Sequence, residues 1–266
     1  MARKTAGFAP ARRHVMALPA AAKFMGEDAG VAAMQEFDRV VIGASFFGCG
    51  LAVRLGGAKI LEPSCVVGAD FALTFNGGEG WDAEPEHPEA REYLSMLRAH
   101  RALDDEGRTA VAALAPLLAE WCRKRALDME LSCSVVAIDG QDLHVMGVDG
   151  PKIYRARQIH DALPKPNSRK YLTGLVAGPE GLEDGRHGDY ALRRSLYPGE
   201  YYARLECSGE DGWEQARRTW HQRWAQRPEE LRDCRLMLIG TRFDQCNYPN
   251  PVVALDAGLL GKGENK

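Results

Sequence analysis

Apolar positions fall in short blocks whose spacing predicts strands alternating with helices. Val40, Val41 and Ile42 form an unbroken run, which predicts a strand over residues 38–43 buried on both faces. Small residues continue from Gly43 to Leu55, suited to a tight turn and a helix. A second run over 58–61 ends at Glu62 and predicts another strand. Residues 90–103 and 109–127 carry apolar faces at helical spacing. Three further runs, 129–139, 142–147 and 152–161, are parted by Asp139-Gly140 and Asp149-Gly150 and predict short strands joined by hairpin turns.

From 171 to 207 the pattern is again strand-like, with a polar break over 178–188. Residues 201–206 alternate, placing Tyr201, Ala203 and Leu205 on one face. A helix is predicted over 211–224, a late strand over 235–239, and a closing helix opening at Pro251, where a missing N–H costs nothing. Repeated βα segments with an internal antiparallel excursion predict a doubly wound α/β fold, a Rossmann-like domain with a reduced substrate-side region. The expected organisation is a leader or added helix over 1–37, a nucleotide-binding domain over 38–170, a small substrate-side or partner-binding region over 171–230, and the closing strand and helix of the main domain over 231–266.

The turn after the first strand carries the chemistry. Gly43, Ala44, Ser45, Phe46, Phe47 and Gly48 read GxSxxG instead of GxGxxG. Gly43 allows a tight exit from the strand, and Gly48 allows close approach of helix and sheet. Free N–H groups at the helix start would face a diphosphate. Ser45 stands where glycine normally permits the closest approach. Glu62 follows Gly43 by 19 positions, where a carboxylate accepts hydrogen bonds from both ribose hydroxyls of an adenosine and repels a 2'-phosphate. Packing glycines and an ordinary strand-end acid are the competing structural explanation.

Composition narrows the class. The chain has 266 residues, 45% hydrophobic and 27% charged, the balance of a soluble protein with a substantial core. A formal charge of -3 argues against a nucleic-acid surface. The seven cysteines form no CxxC pair, which points away from a zinc knot or local redox disulfide and toward a reducing compartment. The apolar patch over 16–22 is too short to span a bilayer. The expected location is cytoplasmic, with no metal and no membrane partner.

The stretch VVIGASFFGCGLAVRLGGAKILEP resembles the amino-terminal fingerprint of the glutathione-reductase-like class of FAD-dependent oxidoreductases. That resemblance implies FAD, with Glu62 on the adenosine ribose and the segment PSCVVGAD continuing around the diphosphate. It further implies adenine contacts near Val135 and Val136. Gly240 and Thr241 stand where such proteins carry a Gly-Asp pair, and Asp244 is the nearest acid. The start of the closing helix, Pro251 and Val252, is expected near the isoalloxazine carbonyl.

The expected function is FAD-dependent oxidation or reduction of a small molecule by hydride exchange at flavin N5, in a homo-oligomer or with a second subunit left open. The alternative is a non-enzymatic FAD- or NAD-binding subunit of a larger complex. No catalytic acid or base is identified. Arg193, Arg194 and Arg204 are candidates for a substrate carboxylate, with intramolecular ion pairs the favoured reading. His187 and His221 lack metal-ligand spacing. Cys49 follows the turn and is read as a small buried residue in preference to a redox nucleophile. The loop around Gly77, Gly78 and Gly80 suits either a cofactor loop or a surface turn.

Overall fold

The computed structural model describes residues 34–164 and 170–263. Most of the expected leader, residues 1–33, lies outside them, while the rest of it leads into the first strand. Strand β1 (Gln35–Ile42) alternates its side chains between two cores. Val41 joins a cluster with the helices, and Val40 and Ile42 join another on the opposite face. This two-sided burial is why the run is apolar without alternation.

Helix α1 (Phe46–Leu55) is capped by Ser45 and ends at Gly56, where φ is 65°. It leads to β2 (Lys59–Glu62), which pairs parallel to β1. A short turn of helix, α2 (Ala69–Ala72), then α3 (Pro88–Ala99) and α4 (Val111–Lys124) follow. Strand β3 (Asp128–Leu131) adds to β2 in parallel. The run expected as one strand over 129–139 is therefore two: Ser132 has a positive φ of 54° and parts β3 from β4 (Ser134–Asp139). Strand β4, β5 (Asp142–Gly147) and β6 (Gly150–Asp161) form an antiparallel excursion, and β6 returns parallel beside β1. The first sheet thus has the order β3-β2-β1-β6-β5-β4.

The second sheet is antiparallel. It contains β7 (Lys170–Ala177), β8 (Gly185–His187), β9 (Tyr190–Arg194), β10 (Glu200–Cys207) and β11 (Arg235–Ile239), in the order β11-β7-β10-β9-β8. Tyr201, Ala203 and Leu205 face one core with Leu172 and Val176, closed by Trp220 and Trp224 of α5 (Trp213–Ala225). Placement of β11 differs from the expectation that residues 231–239 close the first sheet: the strand pairs with β7 instead. Its apolar run is as short as a Rossmann strand's, and length and hydropathy alone do not choose between two sheets.

The chain returns to the first unit through α6 (Pro251–Leu260), an apolar helix buried against α1. Contact is close because both helices carry glycine at the crossing. A Cβ on Gly258 would lie 2.1 Å from the Phe47 carbonyl oxygen, and one on Gly50 would lie 2.3 Å from that of Leu255. The structure is a mixed α/β fold with a Rossmann-like sheet and an antiparallel excursion. No helix among the described residues is long and apolar enough to cross a membrane.

Candidate active-site cleft

The β1–α1 turn sits at the carboxyl ends of the parallel strands, where open α/β sheets bind ligands. Gly43 has φ +105° and donates its N–H to Leu61 at 2.7 Å, locking the turn between the two strands. A Cβ on Gly48 would stand 2.1 Å from the Gly43 carbonyl oxygen, so α1 starts this close to the strand only with glycine there. Ser45 turns its side chain inward. Its hydroxyl donates to the Ala162 carbonyl at 2.8 Å and accepts from the Gly48 N–H at 3.0 Å. The serine thereby becomes an N-cap, and its bulk is drawn away from the cleft.

Glu62 is 2% exposed at the end of β2. One carboxylate oxygen accepts the Ala44 N–H at 2.7 Å, the other the Ser64 N–H at 2.8 Å. Each oxygen keeps a second lone pair for a hydroxyl. Asp70 of α2, within the PSCVVGAD segment, is 7% exposed and accepts the Phe46 N–H at 3.4 Å. Burial pushes its carboxyl up to about 7, backbone hydrogen bonds hold it back, and Glu62 and Asp244 add a further upward push.

Three cavities run along the cleft. The first, about 570 Å³, is lined by Glu62, Ser45, Asp70, Thr241 and Arg242. A second, about 450 Å³, shares Ser45 and Asp70 with it and extends past Phe47 to Asn247 and Tyr248. The third, about 400 Å³, shares Asn247 and Tyr248 with the second and opens between the Gly77-Gly78 loop and the second sheet. This last one is lined by Arg193, Arg194 and Arg204. Each of them also has a carboxylate within 4 Å: Glu79, Asp184 and Asp244 respectively.

The structure brings Ser45, Phe47, Glu62 and Thr241 to the cleft. Gly43, Ala44, Phe46 and Gly48 shape the turn behind them. Thr241 donates its backbone N–H to Leu73, and Gly240 donates to Thr173, so the two tie the end of β11 to the α2 segment. Pro251 and Val252 are buried, and Asn250 caps α6 through Val253 while its amide holds the Glu79 and Gly80 carbonyls. The glycine loop thus packs over the start of α6. Val136 is exposed on the outer strand β4 and lines none of the three cavities. Cys49 is fully buried; the neighbouring Cys122 thiol and burial push its thiol well above the ordinary range, away from thiolate. Among the described residues no cluster of three or more His, Cys, Asp or Glu could hold a metal ion.

Two groups escape sequence reasoning: Asp70, and the Thr173–Arg204–Asp244 set. The second is assembled from three separate segments, and only cross-strand pairing reveals it. Asp244 is 1% exposed, and burial raises its carboxyl pKa while the Arg204 guanidinium pulls it back down.

No protein-family model matches the chain, and no curated protein is similar to it in sequence. Solved structures do match in fold. The p-nitrophenol 4-monooxygenase PnpA from Pseudomonas putida DLL-E4 aligns over 86% of this chain and 77% of its own, with 13% identity and a TM-score of 0.50. A geranylgeranyl bacteriochlorophyll reductase-like protein from Thermoplasma acidophilum aligns over 86% and 78%, with 9% identity and a TM-score of 0.54. Three other matches are spanned over 48% to 60% of their length. At these identities the likeness is one of fold.

Proposed function

We propose that the chain is an FAD-dependent oxidoreductase acting on a small molecule. The observation that carries this reading is Glu62: a buried carboxylate at the end of β2, one hydrogen bond from the phosphate turn and lining a cavity that continues past Ser45. Glu62 would hold the adenosine ribose, and the N–H groups at the start of α1 would face the diphosphate. Both monooxygenase and reductase-like names among the fold relatives accord with this reading.

The residues present fit the cofactor. Ser45 leaves the turn open by capping α1, and the connected cavities give an extended dinucleotide a continuous course. Asp70 fits beside a diphosphate in its neutral form, which burial already favours. FAD, when bound, would supply the redox centre for hydride exchange with the substrate at N5. The protein's own residues orient it: Glu62 at one end, the turn in the middle, and the loop over 246–249 where the second cavity meets the third. The substrate would occupy that third cavity, between the Gly77-Gly78 loop and the second sheet.

The test is the absorption spectrum of freshly purified protein, with mass analysis of any released chromophore. Bands at about 370 and 450 nm with released FAD support the reading. A colourless protein that fails to take up added FAD overturns it and favours NAD binding or a non-catalytic subunit.

A further inference from the structure

Among the described residues, four buried side-chain polar atoms without a hydrogen-bond partner gather at one place. Thr173, Arg204 and Asp244, whose Oγ1, Nε and Oδ2 are three of these atoms, line the 400 Å³ cavity. Trp81 Nε1 lies just behind it, its ring packed against Gly78 and Gly107 of the same wall. Folded proteins rarely leave such groups unsatisfied, and a cluster of them in one cavity wall is explained by a ligand that completes their bonding.

Register builds the cluster. Thr173 and Arg204 stand directly opposite each other on β7 and β10, so their side chains leave the same face of the sheet. Leu172 and Val176 leave the other face, into the core beneath α5. Asp244 is held over the pair by its backbone bridge to Tyr171, and Arg204 Nη2 lies 2.9 Å from its carboxylate. That contact is a charge pair outside hydrogen-bond alignment, and the Asn76 side chain and the Cys246 N–H also bond to the Asp244 carboxylate. The guanidinium also lies 3.7 Å over the Tyr171 ring, which fixes its plane.

The charges of the wall are matched. Arg204 has Asp244, Arg193 has Glu79, Arg194 has Asp184, and Arg108 has Glu106. A charged ligand would leave one of these partners displaced, and a neutral one would not. Phe75, Tyr202 and Tyr248 supply flat apolar surface around the polar cluster.

We propose that this cavity binds an uncharged planar molecule carrying a hydroxyl or amide donor beside an oxygen acceptor. The donor bonds to Asp244, and the acceptor receives the Arg204 Nε–H and the Thr173 hydroxyl. The inference names the substrate class of the site proposed above and rests on that reading for the claim that the ligand is a substrate.

The test is calorimetric titration of the full-length protein with three probes of one size: benzamide, benzoate and benzylammonium. Flavin absorbance is recorded on the same samples. Benzamide is expected to bind tightest. Thr173→Val should weaken it roughly fivefold to tenfold, the loss of one hydrogen bond. The same variant, having lost a hydroxyl that has no partner in the free protein, should melt no lower than the parent. Tighter binding of either charged probe, no binding of benzamide, or an unchanged affinity in Thr173→Val overturns the inference. Benzamide binding with the expected Thr173→Val loss in a protein that takes up no FAD upholds the inference while the flavin reading fails. Flavin bands in a protein that ignores benzamide do the reverse.

Discussion

Asp70 makes the stability of the protein run downhill with pH, and an Asp70→Asn variant exposes how steeply. In the folded chain its carboxyl titrates at about 7 instead of 3.8, chiefly because it is buried. Below about pH 4 the group is neutral in both folded and unfolded chains and costs nothing. Between there and about pH 7 the unfolded chain ionises while the folded one resists, so stability falls as pH rises. Above about pH 7 the penalty is complete. A displacement of about three pK units corresponds to roughly 4 kcal/mol at 1.36 kcal/mol per unit. Asparagine keeps the acceptor for the Phe46 N–H and cannot ionise. Urea unfolding of both proteins should therefore show the variant gaining on the parent by roughly 2–3 kcal/mol between about pH 5 and about pH 8. A difference that stays constant over that range would refute the assignment of Asp70 as a buried acid held neutral by its surroundings. The same reasoning predicts that ADP, an anion drawn to the start of α1, binds with proton uptake near neutral pH in the parent and without it in the variant.

Three further outcomes follow from the geometry. Gly48→Ala places a Cβ 2.1 Å from the Gly43 carbonyl oxygen; it should lower stability by roughly 3 kcal/mol and abolish flavin retention, read from a melt and from absorbance at about 450 nm. Gly258→Ala drives a Cβ to 2.1 Å from the Phe47 carbonyl oxygen at the α1–α6 crossing; a comparable drop in melting temperature is expected, and an unchanged melt would mean that the two helices are not packed this closely. Glu62→Gln removes the negative charge and sets an amide NH₂ against the N–H of Ala44 or Ser64; FAD should bind at least tenfold more weakly by fluorescence titration, since hydrogen bonds to charged groups contribute about 1.5–3 kcal/mol.

Local chemistry was legible in the sequence wherever one short segment decides it. Val40, Val41 and Ile42 announce a strand buried on both sides because nothing polar interrupts them. Gly43 and Gly48 mark the turn because only glycine allows that φ and that approach, and Pro251 marks the start of α6 for an equally local reason. Glu62 is recognised by its distance along the chain from the turn, since the length of one βα unit sets where the second strand must end.

Partnership between distant segments was not legible, because strand pairing depends on what else must be covered. The run over 235–239 suits either sheet, and it joins β7 since that edge is open to it. Asp244 reads from the sequence only as the acid nearest a missing Gly-Asp pair, yet it is buried against Arg204, 40 residues away, which stands opposite Thr173 on the neighbouring strand. Arg193 and Arg204 read from the sequence as ion-paired charges ahead of ligand groups, and the register of β9 on β10 turns both toward one cavity. The glycine turn after β1 and the class of fold were readable from local segments, since those rest on contacts within a few dozen residues. What faces the third cavity emerges from the folded chain alone, because the side chains that line it meet through sheet register and loop packing, which no single segment encodes.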